Sequence, residues 1–446
     1  MIICPGPLPG VLIQDVISKP DFGEKTDKTM QGNSRENLIK TIHHQEPDRI
    51  VVDFGSTSVT GIHVLVVQKL RRHYGLEDKP LKVIEPYQML GEIEDDLAEA
   101  LGIDVIGLYP PCNMFGHRQE HWKTFKTFWG QEVLVPGEFN TSFDENGNLL
   151  MYAAGDMSYP PSAKMPKASY FFDAIERQKP LDESALDPAD NLEEFQIITE
   201  DDLAYWQRVT ESALLKDKGI VATFGGTAIG DIALVPAINL KDPRGIRGVA
   251  EWYMSTMLRP DLLHAVFEKQ TDIALMNLKK AFHAIGNSID VIFICGTDFG
   301  TQDSQFCSSE TYLELYAPYY KKMNDWIHRH TGWKTFKHSC GAVEPLMKHF
   351  IDSGFDIINP VQINARDMDP AQLKEKYGND LVFWGGGADT QKILPFGTPE
   401  EVSEHAKREC EILSVNGGFV FNTVHNIQAN TPVENVVAMV ETVKSF

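Results

Sequence analysis

The chain has 446 residues, of which 42% are hydrophobic, and its formal net charge is −22 at pH 7. This composition supports a globular core and excludes wholesale disorder, while the acidic balance argues against nucleic acid or an anionic membrane surface as partner. The six cysteines are scattered, residues 1–20 lack the pattern of a secretory signal, and no apolar run reaches the ~18 residues of a transmembrane helix. We therefore expect a reduced, soluble, cytoplasmic protein.

The N-terminal residues 1–33 are rich in Pro and Gly and then polar, which predicts a loosely attached leader. A helix is predicted to begin near Ser34, with Ser34 as its N-cap and Glu36 in its first turn. This helix should end before Pro47, because the residue preceding a proline disfavours the helical backbone. Residues 34–446 are predicted to form one domain.

Short buried runs recur along the rest of the chain, and they are too short for helices and rich in β-branched and aromatic residues. The eight runs are 50–52, 104–108, 220–224, 291–294, 334–336, 355–358, 381–384 and 418–421. Amphipathic segments such as 309–330, 370–377 and 399–414 separate them. Continuous apolar strands that alternate with helices indicate a parallel sheet buried on both faces, and eight of them favour a single closed (β/α)₈ TIM barrel. A doubly wound open sheet is the alternative.

One stretch, at about 110–218, interrupts this rhythm and is predicted to be an insertion. Segments 122–135 and 140–153 have the pattern of β-hairpins, the second with a turn at 144–147. Residues 181–202 contain nine acidic residues and no Lys or Arg. We interpret this acidic segment as a solvated face of the insertion.

Polar and glycine residues follow most of the predicted strands, and the strand ends of a (β/α)₈ barrel converge on its active site. This concentration is the main argument that the protein is an enzyme. His338 and Cys340 follow the fifth strand, and residues two apart share one face of an extended chain. An imidazole and a thiolate on one face, with a third donor from another strand, would form a zinc site with an open position. His425, after the eighth strand, is the candidate third ligand. The alternative for His338 and Cys340 is a buried, hydrogen-bonded histidine and an inert core thiol.

Other polar residues at the strand ends are candidates for contact with substrate. Asp298 could be a general base, a partner that orients His338, or a helix-capping acid, and these three roles stay open. Gln302 and Gln362 offer amide groups for a polar substrate, or they brace loops. The triple glycine 385–387 is followed by no GK[ST] motif, so we expect a tight turn there rather than a phosphate site. The residues expected to bind substrate are Asp53, Thr301, Gln362 and Asn422.

Several of these segments together resemble the uroporphyrinogen decarboxylase (URO-D) superfamily, and specifically its methyltransferase branch. The resemblance extends from about Ser34 to the C-terminus, and the motifs that carry it are DFGTQ (298–302), KHSCG (337–341), GGGADTQ (385–391), GGFVFN (417–422) and HQEPDR (44–49). It implies a single (β/α)₈ barrel, in agreement with the strand count.

The resemblance implies one of two chemistries. The decarboxylases act on a tetrapyrrole without metal and carry an arginine-rich clamp, whereas the matching place here reads Asp-Phe-Gly-Ser-Thr (53–57), without arginine. A substrate with many carboxylates would need cationic partners. The methyltransferases hold zinc on an HxC pair and a later Cys. This chain keeps His338 and Cys340, but it has the segment from Asn422 to His425 where the later Cys is expected.

Our leading hypothesis is a zinc-dependent methyltransferase that moves a methyl group between a small methylated substrate, or a thiol, and a corrinoid (cobalamin) on a partner protein. Zn²⁺ is predicted on His338, Cys340 and His425, with Asp298 and Gln302 as the catalytic pair. One alternative is a decarboxylase with Asp53 or Asp298 as its acid. Another is a non-catalytic barrel that binds a corrinoid or tetrapyrrole. The expected partners also include, as one option, a second copy of the chain in a homodimer.

Overall fold

The structure, a computed structural model, describes residues 33–446. The predicted leader therefore lies outside the described residues, apart from Asn33, and the domain division at residue 33 stays a prediction. Within the described range the strands are β1 (Val51–Val52), β2 (Leu81–Glu85), β3 (Leu90–Gly91), β4 (Val105–Leu108), β5 (Lys123–Lys126), β6 (Glu132–Val135), β7 (Thr141–Phe143), β8 (Leu149–Met151), β9 (Ala163–Met165), β10 (Asp173–Ala174), β11 (Gly219–Ala222), β12 (Val291–Cys295), β13 (Lys334–His338), β14 (Ile357–Asn359), β15 (Val382–Trp384) and β16 (Phe419–Phe421).

The helices of the same range lie mostly between the buried strands. They are α1 (Ser34–Ile42), α2 (Val64–His73), α3 (Asp95–Leu101), α4 (Glu200–Leu214), α5 (Val249–Leu258), α6 (Pro260–Ile285), α7 (Ser309–Thr311), α8 (Ala317–His330), α9 (Glu344–Asp352), α10 (Pro370–Tyr377), α11 (Ile393–Phe396), α12 (Pro399–Leu413) and α13 (Val433–Val443). A π-helical turn, Tyr312–Tyr316, joins α7 to α8, and 3₁₀ turns cover Ala153–Gly155 and Pro188–Asn191. None of the helices described between residues 33 and 446 is both long and apolar enough to cross a membrane.

The eight predicted apolar runs form one parallel sheet, in the order β1-β16-β15-β14-β13-β12-β11-β4. The sheet curls into a nearly closed (β/α)₈ barrel, so the predicted fold class is confirmed. At the seam between β1 and β4 the backbone N–H of Asp104 donates to the carbonyl of Val52 at 2.8 Å. Gly107 permits this closure, because a Cβ there would lie 2.2 Å from the carbonyl oxygen of Ser56. The doubly wound alternative is thereby excluded.

The barrel has an apolar floor beneath its C-terminal face. Phe336, Trp384 and Val420 belong to the cluster of buried side chains that fills the interior. Leu38 and Ile42 of α1 join this cluster and close the opposite end. The helix α1 begins as predicted, but its N-cap is Asn33 rather than Ser34, because the Asn33 side chain accepts from the N–H of Glu36 at 2.8 Å. A second, larger core lies between the strands and the surrounding helices.

The interrupting stretch contains the two predicted hairpins. Strand β5 pairs antiparallel with β6, and β7 pairs antiparallel with β8 around the turn at 144–147. They belong to two four-stranded sheets, β3-β2-β6-β5 and β10-β9-β8-β7, and the strands β2, β3, β9 and β10 of these sheets were not predicted. The prediction of a fully solvated acidic face is wrong in part. Glu194 forms an ion pair with Arg247, whose side chain is fully buried, because this segment packs against the chain before α5.

Candidate metal centre

Two of the predicted ligands come from the end of β13 and the third follows β16, from which β13 is separated by β14 and β15. His338 is the last residue of β13, Cys340 lies two residues further on, and His425 follows β16. One ligand atom from each of these three residues lies within 4.8 Å of the other two. The fold therefore brings together the three residues that the sequence predicted as metal ligands. Among residues 33–446 this is the one such cluster of His, Cys, Asp and Glu that could hold a metal ion.

The orientation of His338 is set by Asn359, at the end of the adjacent strand β14. The Nδ1 atom of His338 lies 2.6 Å from Oδ1 of Asn359, while the amide nitrogen of Asn359 donates to the Trp384 carbonyl at 2.7 Å. Because that amide group is committed to Trp384, Oδ1 faces the imidazole, and Nδ1 of His338 must be the proton donor. The lone pair of His338 is therefore on Nε2, which faces Cys340 at 3.3 Å from its Sγ.

Cys340 is held by Asp298, which follows β12. Oδ1 of Asp298 accepts from the backbone N–H of Cys340 at 2.6 Å and lies 3.6 Å from Nε2 of His338. Burial, together with the negative charge of Asp298, raises the pKa of the Cys340 thiol well above its usual value. Burial also lowers the pKa of His338, so its imidazole is neutral at neutral pH. Asp298 thus holds the backbone at Cys340, a contact that was not among its three predicted roles, and those roles stay predictions.

The ring nitrogens of His425 are less available to a metal ion than Nε2 of His338. Its ring lies 5.7 Å from that of His338 between centroids, and burial lowers its pKa to about 4, which keeps the imidazole neutral. Its Nδ1 accepts from the N–H of Asn426 at 2.8 Å. Coordination through Nε2 would place a proton on Nδ1, and coordination through Nδ1 would displace the same N–H. His425 would therefore have to give up this contact to bind an ion.

The loops that carry the site cross each other closely. A Cβ on Gly300 would lie 2.8 Å from the carbonyl oxygen of Cys340, so a side chain there would push the two loops apart. Thr301 accepts through its carbonyl from the N–H of Ala342 at 2.8 Å. Gln362 accepts from the N–H of Gly341 at 2.6 Å and donates to Gln302 at 3.2 Å. These three predicted residues hold the loops around Cys340, and their contact with substrate stays a prediction.

Asp53 and Asn422 lie inside the barrel, next to the apolar floor. Asp53 accepts from the indole of Trp384 at 2.8 Å and from the hydroxyl of Ser56 at 2.7 Å. Burial raises the pKa of Asp53 to about 6. The amide nitrogen of Asn422 donates to the carbonyl of Asp53, while its Oδ1 is buried without a hydrogen-bond partner. Both residues are fully buried, and their contact with substrate stays a prediction.

Two further residues of the site were not singled out from the sequence. Asn359 is the last residue of β14 and directly follows the predicted run 355–358, and its role depends on the contact with His338. Tyr253 of α5 stacks on Phe306 with ring centroids 4.6 Å apart, and its hydroxyl is buried without a hydrogen-bond partner. Burial and the charge of Asp298 raise the pKa of Tyr253, so the hydroxyl stays protonated. No local sequence pattern would have placed Tyr253 here.

Comparisons with known proteins agree with this geometry. Residues 236–446 match the family model described as Uroporphyrinogen decarboxylase (URO-D), and this range contains all three predicted ligands. A curated relative, the uroporphyrinogen decarboxylase of Anaeromyxobacter dehalogenans (strain 2CP-C), is 25% identical over 195 residues, 43% of this chain and 51% of the relative. The chain thus aligns with about half the length of that relative. The predicted resemblance to the URO-D superfamily is thereby confirmed for residues 236–446.

The fold has a counterpart among solved structures. A methyltransferase from Methanosarcina mazei superposes with a TM-score of 0.51 at 15% identity, covering 93% of this chain and 99% of that one. At this identity the likeness concerns the fold. It extends over nearly the whole chain, including the segments that precede residue 236.

Proposed function

We propose that the protein is a zinc-dependent methyltransferase that moves a methyl group between a small methylated substrate, or a thiol, and a corrinoid protein. The observation that carries the proposal is the cluster of His338, Cys340 and His425, with ligand atoms within 4.8 Å of one another at the C-terminal face of a URO-D-type barrel. The methyltransferase from Methanosarcina mazei, which shares the fold, is consistent with it.

The three side chains fit zinc by their chemistry, and His338 is already oriented to bind it. Two imidazoles and one thiol are ligands that zinc prefers, and three protein ligands leave the fourth position open for substrate. His338 already presents the lone pair of Nε2, and Asn359 fixes this tautomer through Nδ1. Zinc bound there would supply a Lewis acid that polarises the leaving oxygen or nitrogen, or holds a thiol as thiolate.

The ligand charges favour one kind of substrate within this class. Two neutral imidazoles and one thiolate would leave a net positive charge on the site, whereas additional thiolates would neutralise it. A less electron-rich site activates a bound thiol less strongly but polarises an ether or amine more strongly. We therefore infer that the methyl donor is a small methyl ether or methylamine.

The residues around the cluster would shape the reaction. Asp298 holds the backbone N–H of Cys340 and so fixes the position of its sulfur. Phe336 and Trp384 close the site from below, which excludes water from that side. The corrinoid protein would dock over the C-terminal face, since the strand ends with their polar residues open there.

Metal analysis of the purified protein tests the proposal. We expect near-stoichiometric zinc in the wild type and in Cys410→Ala, a matched control with a buried cysteine on α12, and no zinc in Cys340→Ala. Methyl ethers and methylamines would then be screened for methylation of cob(I)alamin. Absence of zinc in the wild type after zinc has been supplied would refute the mechanism.

A decarboxylase is the second candidate, favoured by the description of the family model and by the curated relative. The buried carboxyl of Asp53, with a pKa raised to about 6, would be its candidate acid. Turnover of uroporphyrinogen by metal-free protein, lost in Asp53→Asn, would support this reading. Tight binding of a corrinoid or tetrapyrrole without any reaction would favour the non-catalytic barrel instead.

A further inference from the structure

Lys337, beside His338 on β13, carries a fully buried amino group. Its neighbours Phe336 and His338 face the barrel interior, so Lys337 points the other way, into the layer between strands and helices. Its Nζ lies 3.3 Å from Sγ of Cys295, 3.2 Å from the carbonyl oxygen of Thr297 and 3.3 Å from that of His338. These three acceptors match the three N–H donors of an ammonium group.

Aromatic rings enclose the same amino group. The distances from Nζ to the ring centroids are 4.7 Å for Phe299, 5.2 Å for Phe350, 5.3 Å for Tyr320 and 5.6 Å for Phe355. Phe299 lies in the loop after β12, Phe350 in α9, Tyr320 in α8 and Phe355 in the loop before β14. Cation–π attraction offsets part of the cost of burying the charge, but a packed apolar side chain would avoid that cost altogether. Stability is therefore a poor reason for a lysine at this position.

The contacts of Lys337 instead connect the two strand ends that carry the metal centre. The carbonyl of Thr297 belongs to the peptide that leads into Asp298, and the carbonyl of His338 belongs to the peptide that leads towards Cys340. Asp298 in turn holds the backbone N–H of Cys340 at 2.6 Å. One ammonium group thus holds both peptides in place, on the side of the sheet opposite to the ligands.

We infer that Lys337 is a positioning residue, whose ammonium group clamps the ends of β12 and β13 so that His338 and Cys340 converge on a metal ion. The inference rests on the proposed function, because it assumes that these residues bind zinc. It assigns the lysine to the geometry of the site and not to the stability of the barrel.

The test compares zinc affinity with thermal stability in Lys337→Met. Methionine has a similar length and suits an aromatic cage, so we expect a melting temperature equal to or above that of the wild type. The zinc dissociation constant, measured by competition with a chromophoric chelator, should rise about tenfold, as when a partner that orients a ligand is lost. The absorption spectrum of the Co²⁺-substituted protein should change as well, because it reports the geometry of the ligands.

Two further variants make the result decisive. Lys374→Met removes another partly buried lysine, which donates to the carbonyl of Gly417 at 2.6 Å and lies 5.7 Å from the ring of Phe383, and it should leave zinc affinity unchanged. Lys337→Gln keeps N–H donors without the charge, and it should retain part of the affinity.

Each outcome has a distinct meaning. Zinc in the wild type together with an unchanged affinity and Co²⁺ spectrum in Lys337→Met would refute the inference alone. Failure of both Lys337 variants to fold would also refute it, since the lysine would then be needed for stability. Absence of zinc from the wild type would refute the proposed function and this inference with it.

Discussion

Oδ1 of Asn359 accepts the Nδ1 proton of His338 at 2.6 Å, and the amide nitrogen of Asn359 is itself committed to the carbonyl of Trp384. The contact joins the ends of the neighbouring strands β13 and β14. Because Nδ1 of His338 carries the proton, the ring lone pair is on Nε2, which faces Cys340. A buried amide thereby selects the tautomer whose Nε2 lone pair could coordinate a metal ion.

This relationship predicts the effect of Asn359→Leu. Without the acceptor, His338 can rotate or adopt the other tautomer, so we expect zinc affinity to fall by about 10- to 100-fold. The measurement is a competition titration with a chelator. Asn435→Leu is the control, since Asn435 is equally buried but donates to carbonyls near α11. Equal affinity in Asn359→Leu and the wild type would show that the tautomer is fixed by something else.

The role of His425 as third ligand can be separated from that of Cys340. We expect His425→Ala to weaken zinc binding at least about tenfold while the sulfur-to-metal charge-transfer band of the Co²⁺ protein persists. Cys340→Ala should abolish that band. His405→Ala, which removes a buried histidine of α12, should change neither property. An unaltered affinity and spectrum in His425→Ala would remove His425 from the ligand set.

Tyr253→Phe should separate stability from activity. The hydroxyl is buried without a partner, and such a group costs about 1–3 kcal/mol, so its removal should leave the melting temperature unchanged or higher. If the hydroxyl donates to the polar atom of the substrate, kcat/KM should fall about tenfold with unchanged zinc content. Tyr74→Phe, at a surface contact with Glu441, is the control. Full activity in Tyr253→Phe would exclude a contact between this hydroxyl and substrate.

Asp53 should make stability depend on pH. Its pKa is raised from 3.8 to about 6 by burial, so between these values the folded state binds more protons than the unfolded state. Stability therefore falls as pH rises from about 4 to about 6, by roughly 3 kcal/mol from this group alone. Urea denaturation across this range should show a flatter dependence for Asp53→Asn than for the wild type. Parallel curves for the two proteins would mean that Asp53 is ionised in the fold.

The barrel seam depends on the ion pair between Arg49 and Asp104. The carboxylate of Asp104 is fully buried and also accepts from the N–H of Val52 at 2.9 Å, at the junction of β1 and β4. Arg49→Met would leave this carboxylate without its counter-ion and should lower the free energy of unfolding by about 2 kcal/mol. This is less than the roughly 3–5 kcal/mol lost when a fully buried pair is broken, because Arg49 is partly exposed. Arg72→Met breaks an exposed pair with Asp78 and should cost under about 1 kcal/mol. Equal losses of unfolding free energy in Arg49→Met and Arg72→Met, measured by denaturant titration, would contradict this account.

Much of the barrel could be predicted from the sequence, because a parallel strand buried on both faces is a continuous apolar run. All eight runs became barrel strands, and the helices around 309–330, 370–377 and 399–413 lie where the amphipathic pattern indicated. The strands β2, β3, β9 and β10 were not predicted, because β3 and β10 have only two residues each and β2 pairs with β6 across the intervening α3 and β4. The burial of Glu194 escaped prediction because its partner Arg247 lies 53 residues away.

The sequence by itself determined the eight apolar strand runs, because strands buried on both faces are continuously apolar. It also placed His338 and Cys340 on one face, because side chains two residues apart share a face of a strand. Only the tertiary structure decided what surrounds them. His338 meets Asn359 across 21 residues, Cys340 meets Asp298 across 42, and Lys337 reaches Cys295 across a similar interval. These contacts exist because parallel pairing sets the ends of β12, β13 and β14 side by side, and no periodicity along the chain records which side chains then face each other.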